Sequence, residues 1–238
     1  MDQLADLPDV VESLSRWRLE RSTMNEVLSK VARVVTHTLA TCDAAGVSIV
    51  TDQGVTVGPF TDERLAALDI HQYDIDEGPC VQAMKTGRVV AVDAALPARS
   101  SDNFSSKALE MSVASALGVP LTHHASIIGS LNMYAHARHA FSHDDEVSAS
   151  IIASEGSRLI ADMQRYLSLQ AREEELTTEL ERSDIVAVAT GRIMMKHHCS
   201  RDHALAYLRS LGESENLALH EVAQRIWPEP GPGDESLP

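Results

Sequence analysis

The apolar positions of this chain change period several times, and each change marks a boundary. In TMNEVLSKVARVVTHTLA, Val27, Val31, Val34, Val35 and Leu39 recur at steps of three and four, which places them on one helical face. Ser22 or Thr23 is the N-cap of that face, and the helical reading extends over residues 9–40. The period then drops to two. AGVSIVT and GVTVGPF alternate around Asp52-Gln53-Gly54, which predicts a hairpin. TDERLAALDIHQ predicts a short capped helix. EGPCVQAMKTGRVVAVDA predicts a helix opening at Gly78-Pro79, where proline suits the first turn, and then a strand at Val89 to Val92. NFSSKALEMS is helical, and ASALGVPLTHH and SIIGSLNMYAH are two further strands. A long helix begins near Ser142, where Ser142-His143-Asp144-Asp145 supplies capping oxygens and early negative charge. This order predicts an α+β fold, a sheet with helices to one side.

No breaker interrupts the helical pattern from Ser154 to Arg182. Leu169, Leu176 and Ser183 recur every seven residues, Leu180 and Ala187 occupy the companion positions, and Glu173, Glu174, Glu175 and Glu179 lie outside the seam. Merged with Ile185 to Met195 the helix is about 40 residues long, against a globular mean of about 11 to 12, and such a helix usually has a partner. A short parallel coiled coil is expected. Three helices follow within residues 182–227. The first carries Ile185, Ala189 and Ile193; the second, capped by Ser200, buries Ala204, Leu205, Leu208 and Leu211. The third carries Leu219, Val222, Ala223 and Ile226, and Pro228 stops it.

Charge sharpens this division. The 238 residues carry a net charge of -15, which opposes general affinity for polyanions. Residues 182–227 escape that field, with six Lys or Arg against five Asp or Glu and four histidines in addition. No run of about 18 apolar residues occurs, and MDQLADLPDV lacks the basic and apolar regions of a signal peptide, so a soluble cytoplasmic protein is expected. Cys42, Cys80 and Cys199 lie far apart and read as reduced thiols.

Little in the sequence points to catalysis. Cys80 at a helix N-terminus has the setting of a lowered thiol pKa, but its apolar neighbours read as a packing position. His123, His124, His136, His139 and His143 stand without a cysteine or carboxylate at ligand spacing. In Lys196-His197-His198-Cys199, the adjacent histidines point about 100° apart on a helix and do not share a metal easily. There is no GxxxxGK[ST], GxSxG or HExxH. Neither an enzyme nor a resident cofactor or metal is expected.

Through DEGPCVQAMKTGRVVAVDA and GVPLTHHASIIGSLNMYAHARHAFSHDD, residues 1–165 resemble a GAF domain. The resemblance implies a small-molecule sensing and dimerisation module rather than a catalyst. Its ligand pocket is expected to be mainly apolar, lined by Leu65, Gly78, Cys80, Val81, Phe104 and Met111. Residues 166–181 are then a coiled-coil connector.

Residues 182–228 resemble the ANTAR domain, a bacterial RNA-binding antitermination module. The matching residues are Arg182, Ile185, Ala189, Gly191, Ile193, Met194 and Met195, then Cys199, Ser200, Ala204 and Leu208, then Asn216, Leu219, Val222 and Ala223. Where the family usually has Lys, Ser, Lys and a basic residue, this chain has Thr190, Gly212, Ala218 and His220, so basic contacts are lost. The resemblance implies a homodimer whose two small domains engage two adjacent hairpin loops in a nascent transcript. The RNA-binding residues are expected to be Arg182, Thr190, Gly191, Arg192, Lys196, His197, Arg201, Asn216 and His220, with Arg192, Lys196 and Arg201 as the basic side and Asn216 and the Gly191 backbone facing the bases. The missing basic positions leave a second reading open, in which the tail contacts protein without RNA. Residues 229–238 read as a disordered tail.

Overall fold

The computed structural model describes residues 7–94 and 103–226. The expected stop at Pro228 and the tail at 229–238 lie outside them. The chain divides into two compact units with the boundary between Tyr166 and Leu167.

In the first unit, α1 (Leu7–Ser15) and α2 (Met24–Thr38) replace the single helix expected over 9–40. The reason is local. Thr23 caps α2 through a reciprocal pair with Glu26, which accepts from the Thr23 N–H at 2.7 Å while Thr23 Oγ1 accepts from the Glu26 N–H. A capping box fixes its first residue in extended backbone, so a helix cannot run through it. The hairpin β1 (Ala44–Thr51) and β2 (Gly54–Phe60) follows as expected, then α3 (Ala66–Asp74) and α4 (Pro79–Thr86). β3 (Val90–Asp93), α5 (Asn103–Glu110), β4 (Ser115–His123) and β5 (Ser126–Ala135) complete the sheet, which is antiparallel in the order β2-β1-β5-β4-β3.

Helices cover both faces of this sheet rather than one. Cross-strand register explains it. The rows Val47–Leu131–Val119 and Ala45–Met133–Leu117 pack on α2 and on the first turns of α6 (His143–His197), through Val31, Val35, Ile152 and Ile160. The rows between them point the other way, because strand side chains alternate. These are Ala44–Tyr134–Ala116, Gly46–Asn132–Gly118 and Ser48–Ser130–Pro120. Tyr134 there joins Phe60, Leu68, Phe104 and Ala108 in a second apolar cluster. Small residues beside Tyr134 and Asn132 let α4 approach closely: a Cβ on Gly118 would stand 2.5 Å from the Pro79 carbonyl oxygen.

The second unit contains the end of α6, α7 (Arg201–Glu215) and α8 (Leu219–Ile226). Its core is Ala189, Ile193, Ala204, Leu208, Val222 and Ala223, with Ile185, Leu211, Leu219 and Ile226 partly buried around it. Ser200 caps α7 by accepting from the His203 N–H, and Glu221 accepts from the Ala218 N–H at 2.7 Å at the start of α8.

Candidate nucleic-acid groove and the buried polar cluster

The polar row of the sheet converges on Asp69, a wholly buried carboxylate on α3. It accepts from Ser48 Oγ at 3.0 Å and Gln72 Nε2 at 2.7 Å, and from Asn132 Nδ2 and the Tyr134 hydroxyl. Gln72 Oε1 in turn accepts from the Cys80 N–H at 3.1 Å, and Ser130 donates to Asn132 Oδ1 at 2.6 Å. Burial raises the Asp69 pKa to about 6, and the four donors oppose that shift without cancelling it.

The expected pocket residues separate around this cluster. Cys80, Val81 and Phe104 are packed in the interior, and Gly78, at φ +119, leaves no room for a Cβ, which would meet Gln72 and Phe104. Leu65 and Met111 instead line an open hollow of about 410 Å³ together with Asp62, Arg64, Glu110, Ser112 and His136. Burial, followed by the charge of Asp69, holds the Cys80 thiol well above its ordinary pKa. That outweighs any lowering from the helix N-terminus, so the thiolate is disfavoured. Among the described residues no cluster of His, Cys, Asp or Glu could hold a metal ion.

In the second unit the expected residues fall into three places. Arg192, Lys196 and His197 line one groove of about 500 Å³ with Ile193, Met195, Tyr207 and Ile226. Positions 192 and 196 are four apart on α6 and share a face. The Arg192 guanidinium donates at 3.4 Å to the Ile226 carbonyl at the end of α8, the negative end of that helix. Asn216 lines a different hollow with Arg209, Gly212, Glu213 and Leu219. It caps α7 in the left-handed conformation, φ 55, which asparagine tolerates well, so it has a structural duty of its own. Arg182 and Arg201 are exposed and His220 is half-buried, none of them in the groove wall.

Thr190 differs from the expectation. Its side chain is turned into the core at 3% exposure, and its hydroxyl donates to the Val186 carbonyl at 2.6 Å. Gly191, beside it, has open space where a Cβ would be. Gly212 is tight, since a Cβ there would meet the Leu217 carbonyl oxygen at 2.9 Å, so Gly is the residue that fits this turn. Sequence reasoning missed Tyr207, which lies off the apolar seam of its helix, and named Met195 as a matching residue without placing it in the groove.

A GAF domain model matches residues 21–161, more than half of the chain, and an ANTAR domain model matches 174–226. The chain belongs to the GAF family, with an ANTAR domain after it. No curated protein matches it. The GAF unit shares its fold with the GAF domain of the Acinetobacter phosphoenolpyruvate-protein phosphotransferase, at TM-score 0.51 and 15% identity over 68% of this chain and 95% of that one. It is also similar to free methionine-R-sulfoxide reductase from Neisseria meningitidis, at TM-score 0.53 and 16% identity over 69% and 91%. The reduced enzyme of Staphylococcus aureus gives TM-score 0.51 and 16% identity over 67% and 95%. Identities this low speak for the GAF fold and not for an activity. Among the described residues, no helix of this GAF–ANTAR chain is long and apolar enough to cross a membrane.

Proposed function

We propose that this chain regulates transcription antitermination, its ANTAR unit binding hairpin loops of a nascent transcript while its GAF unit senses a small molecule or mediates dimerisation. One observation carries the reading. Within the ANTAR span, Arg192, Lys196 and His197 converge on a groove whose wall, among the described residues, has no carboxylate, in a chain whose net charge is -15. RNA loops expose unstacked bases and closely spaced phosphates, which suit such a face. A homodimer presents two grooves, and holding two adjacent hairpins would stabilise the RNA form that excludes a terminator. The dimer reading is supported by Leu169, Leu176 and Leu180, which are 60%, 49% and 63% exposed on α6 and belong to no core of the single chain. The closed hydrogen bonding around Asp69 fits a GAF interior that serves packing, which favours dimerisation over ligand binding as the duty of this unit.

Exposure of Met195 and Tyr207 in the same groove also suits a protein partner, the second reading. Crosslinking the intact chain in cells separates the two. Recovery of transcripts with paired hairpins supports antitermination; recovery of a protein without RNA replaces it.

A further inference from the structure

We propose that Tyr207 is the base-stacking residue of the groove, taking an unpaired loop base on its ring while Arg192 and Lys196 hold the phosphates on either side. This rests on the RNA reading and moves base contact from Asn216 to a residue that the sequence did not single out. Ala204 and Leu208 take the core-facing positions of α7, which leaves the ring of Tyr207 48% exposed at the groove wall. Beside it Met195 is 74% exposed, so among the described residues two large side chains remain uncovered at the edge of a core of six buried residues. The His197 ring stands 6.2 Å away and tilted by 42°, so it does not stack on the tyrosine.

Two features favour a nucleotide over an apolar peptide. Among the described residues, the wall combines Arg192, Lys196 and His197 with the aromatic ring and has no opposing carboxylate, so a phosphate meets attraction from three side chains there. The volume, about 500 Å³, falls in the range of small-ligand sites, about 300–1,000 Å³. Asn216 lies outside that wall, and its left-handed backbone is already explained by the end of α7.

The test uses the full chain and a pool of two-hairpin RNAs with randomised loops, from which the unaltered protein selects a binder. On that RNA, Tyr207→Leu lowers affinity about 5- to 100-fold, the range expected for one stacked base, with the salt slope unchanged. Tyr207→Phe keeps the ring and binds within about twofold of the unaltered chain. Removing the bases of the loop one at a time finds one position whose loss weakens the unaltered protein by a similar factor and leaves Tyr207→Leu no weaker. Should Tyr207→Leu bind normally, or lose as much as the unaltered chain at every abasic position, stacking is overturned, and a continued loss with Lys196→Ala shows that the RNA reading survives. If Tyr207→Leu misfolds by circular dichroism, the Phe variant and the abasic scan decide alone: a weak Phe variant, or no sensitive loop position, overturns the proposal. Failure of the unaltered chain to enrich any RNA at low salt removes both the proposal and the function beneath it.

Discussion

The two polar clusters of this chain are opposites. Around Asp69 a carboxylate meets four donors inside the GAF unit, with Tyr134, Asn132, Gln72 and Ser48 all committed to it. In the ANTAR unit, Arg192, Lys196 and His197 face a groove whose wall returns no carboxylate among the described residues. A cluster that satisfies its own hydrogen bonds specifies packing, because each group would cost free energy if left alone. A cluster with exposed donors to spare, held meanwhile by water, can take a partner from outside. The difference separates the part of the chain that holds its own structure from the part suited to binding.

The most severe way to break this comparison is to destroy the second unit while sparing the first. Val222 lies in a core of six buried residues, so Val222→Asp places an unpaired charge there at a cost of several kcal/mol. Circular dichroism should show loss of the helical signal of the ANTAR unit with the GAF unit's thermal transition retained. Retention of both signals would mean that the small core tolerates charge and is not the packed unit described.

The Asp69 cluster makes a smaller, pH-dependent prediction. Burial raises the folded-state pKa from 3.8 to about 6, so the folded chain binds this proton more tightly than the unfolded one. The associated stability is fully present below the unfolded value and is lost as pH rises through about 6. Urea unfolding of the GAF unit should therefore give lower stability at pH 7.5 than at pH 4.5, by about 3 kcal/mol at most from this group. Asp69→Asn should flatten that slope, whatever its effect on absolute stability. An unchanged slope in the variant would assign the pH dependence elsewhere.

Much of the fold was legible because it is periodic. The hairpin and the strand pair at 115–135 show a clear repeat, and the helix start near Ser142 and the caps at Ser22 or Thr23 and at Ser200 can be read from residue type. The break between α1 and α2 was not, since apolar residues continue at helical spacing on both sides of it. Helices on the second sheet face went unseen because Ser48, Ser130 and Asn132 look like a solvated face. They are buried polar residues that the fold brings from β1 and β5 to Asp69 on α3. At the groove, the cations were legible as charge and Tyr207 was not, because exposure is set by packing between helices.

A more modest effect belongs to the α6 seam. The unaltered chain should scatter light as twice its 25.9 kDa at micromolar concentration, and Leu176→Asp with Leu180→Asp should shift it toward the single mass. The GAF helices are expected to share in the contact, so partial dissociation is the outcome anticipated. A single mass for the unaltered chain would exclude the two-groove arrangement.

The central claim is that this groove meets RNA phosphates, and the salt dependence of affinity tests it most directly. Titrating the intact chain with the selected two-hairpin RNA at several salt concentrations should give a steep negative slope of log affinity against log salt. Arg192→Ala and Lys196→Ala should each flatten it by about one unit and weaken binding on many loop sequences alike. A slope that both substitutions leave unchanged, at unchanged affinity, would contradict the account.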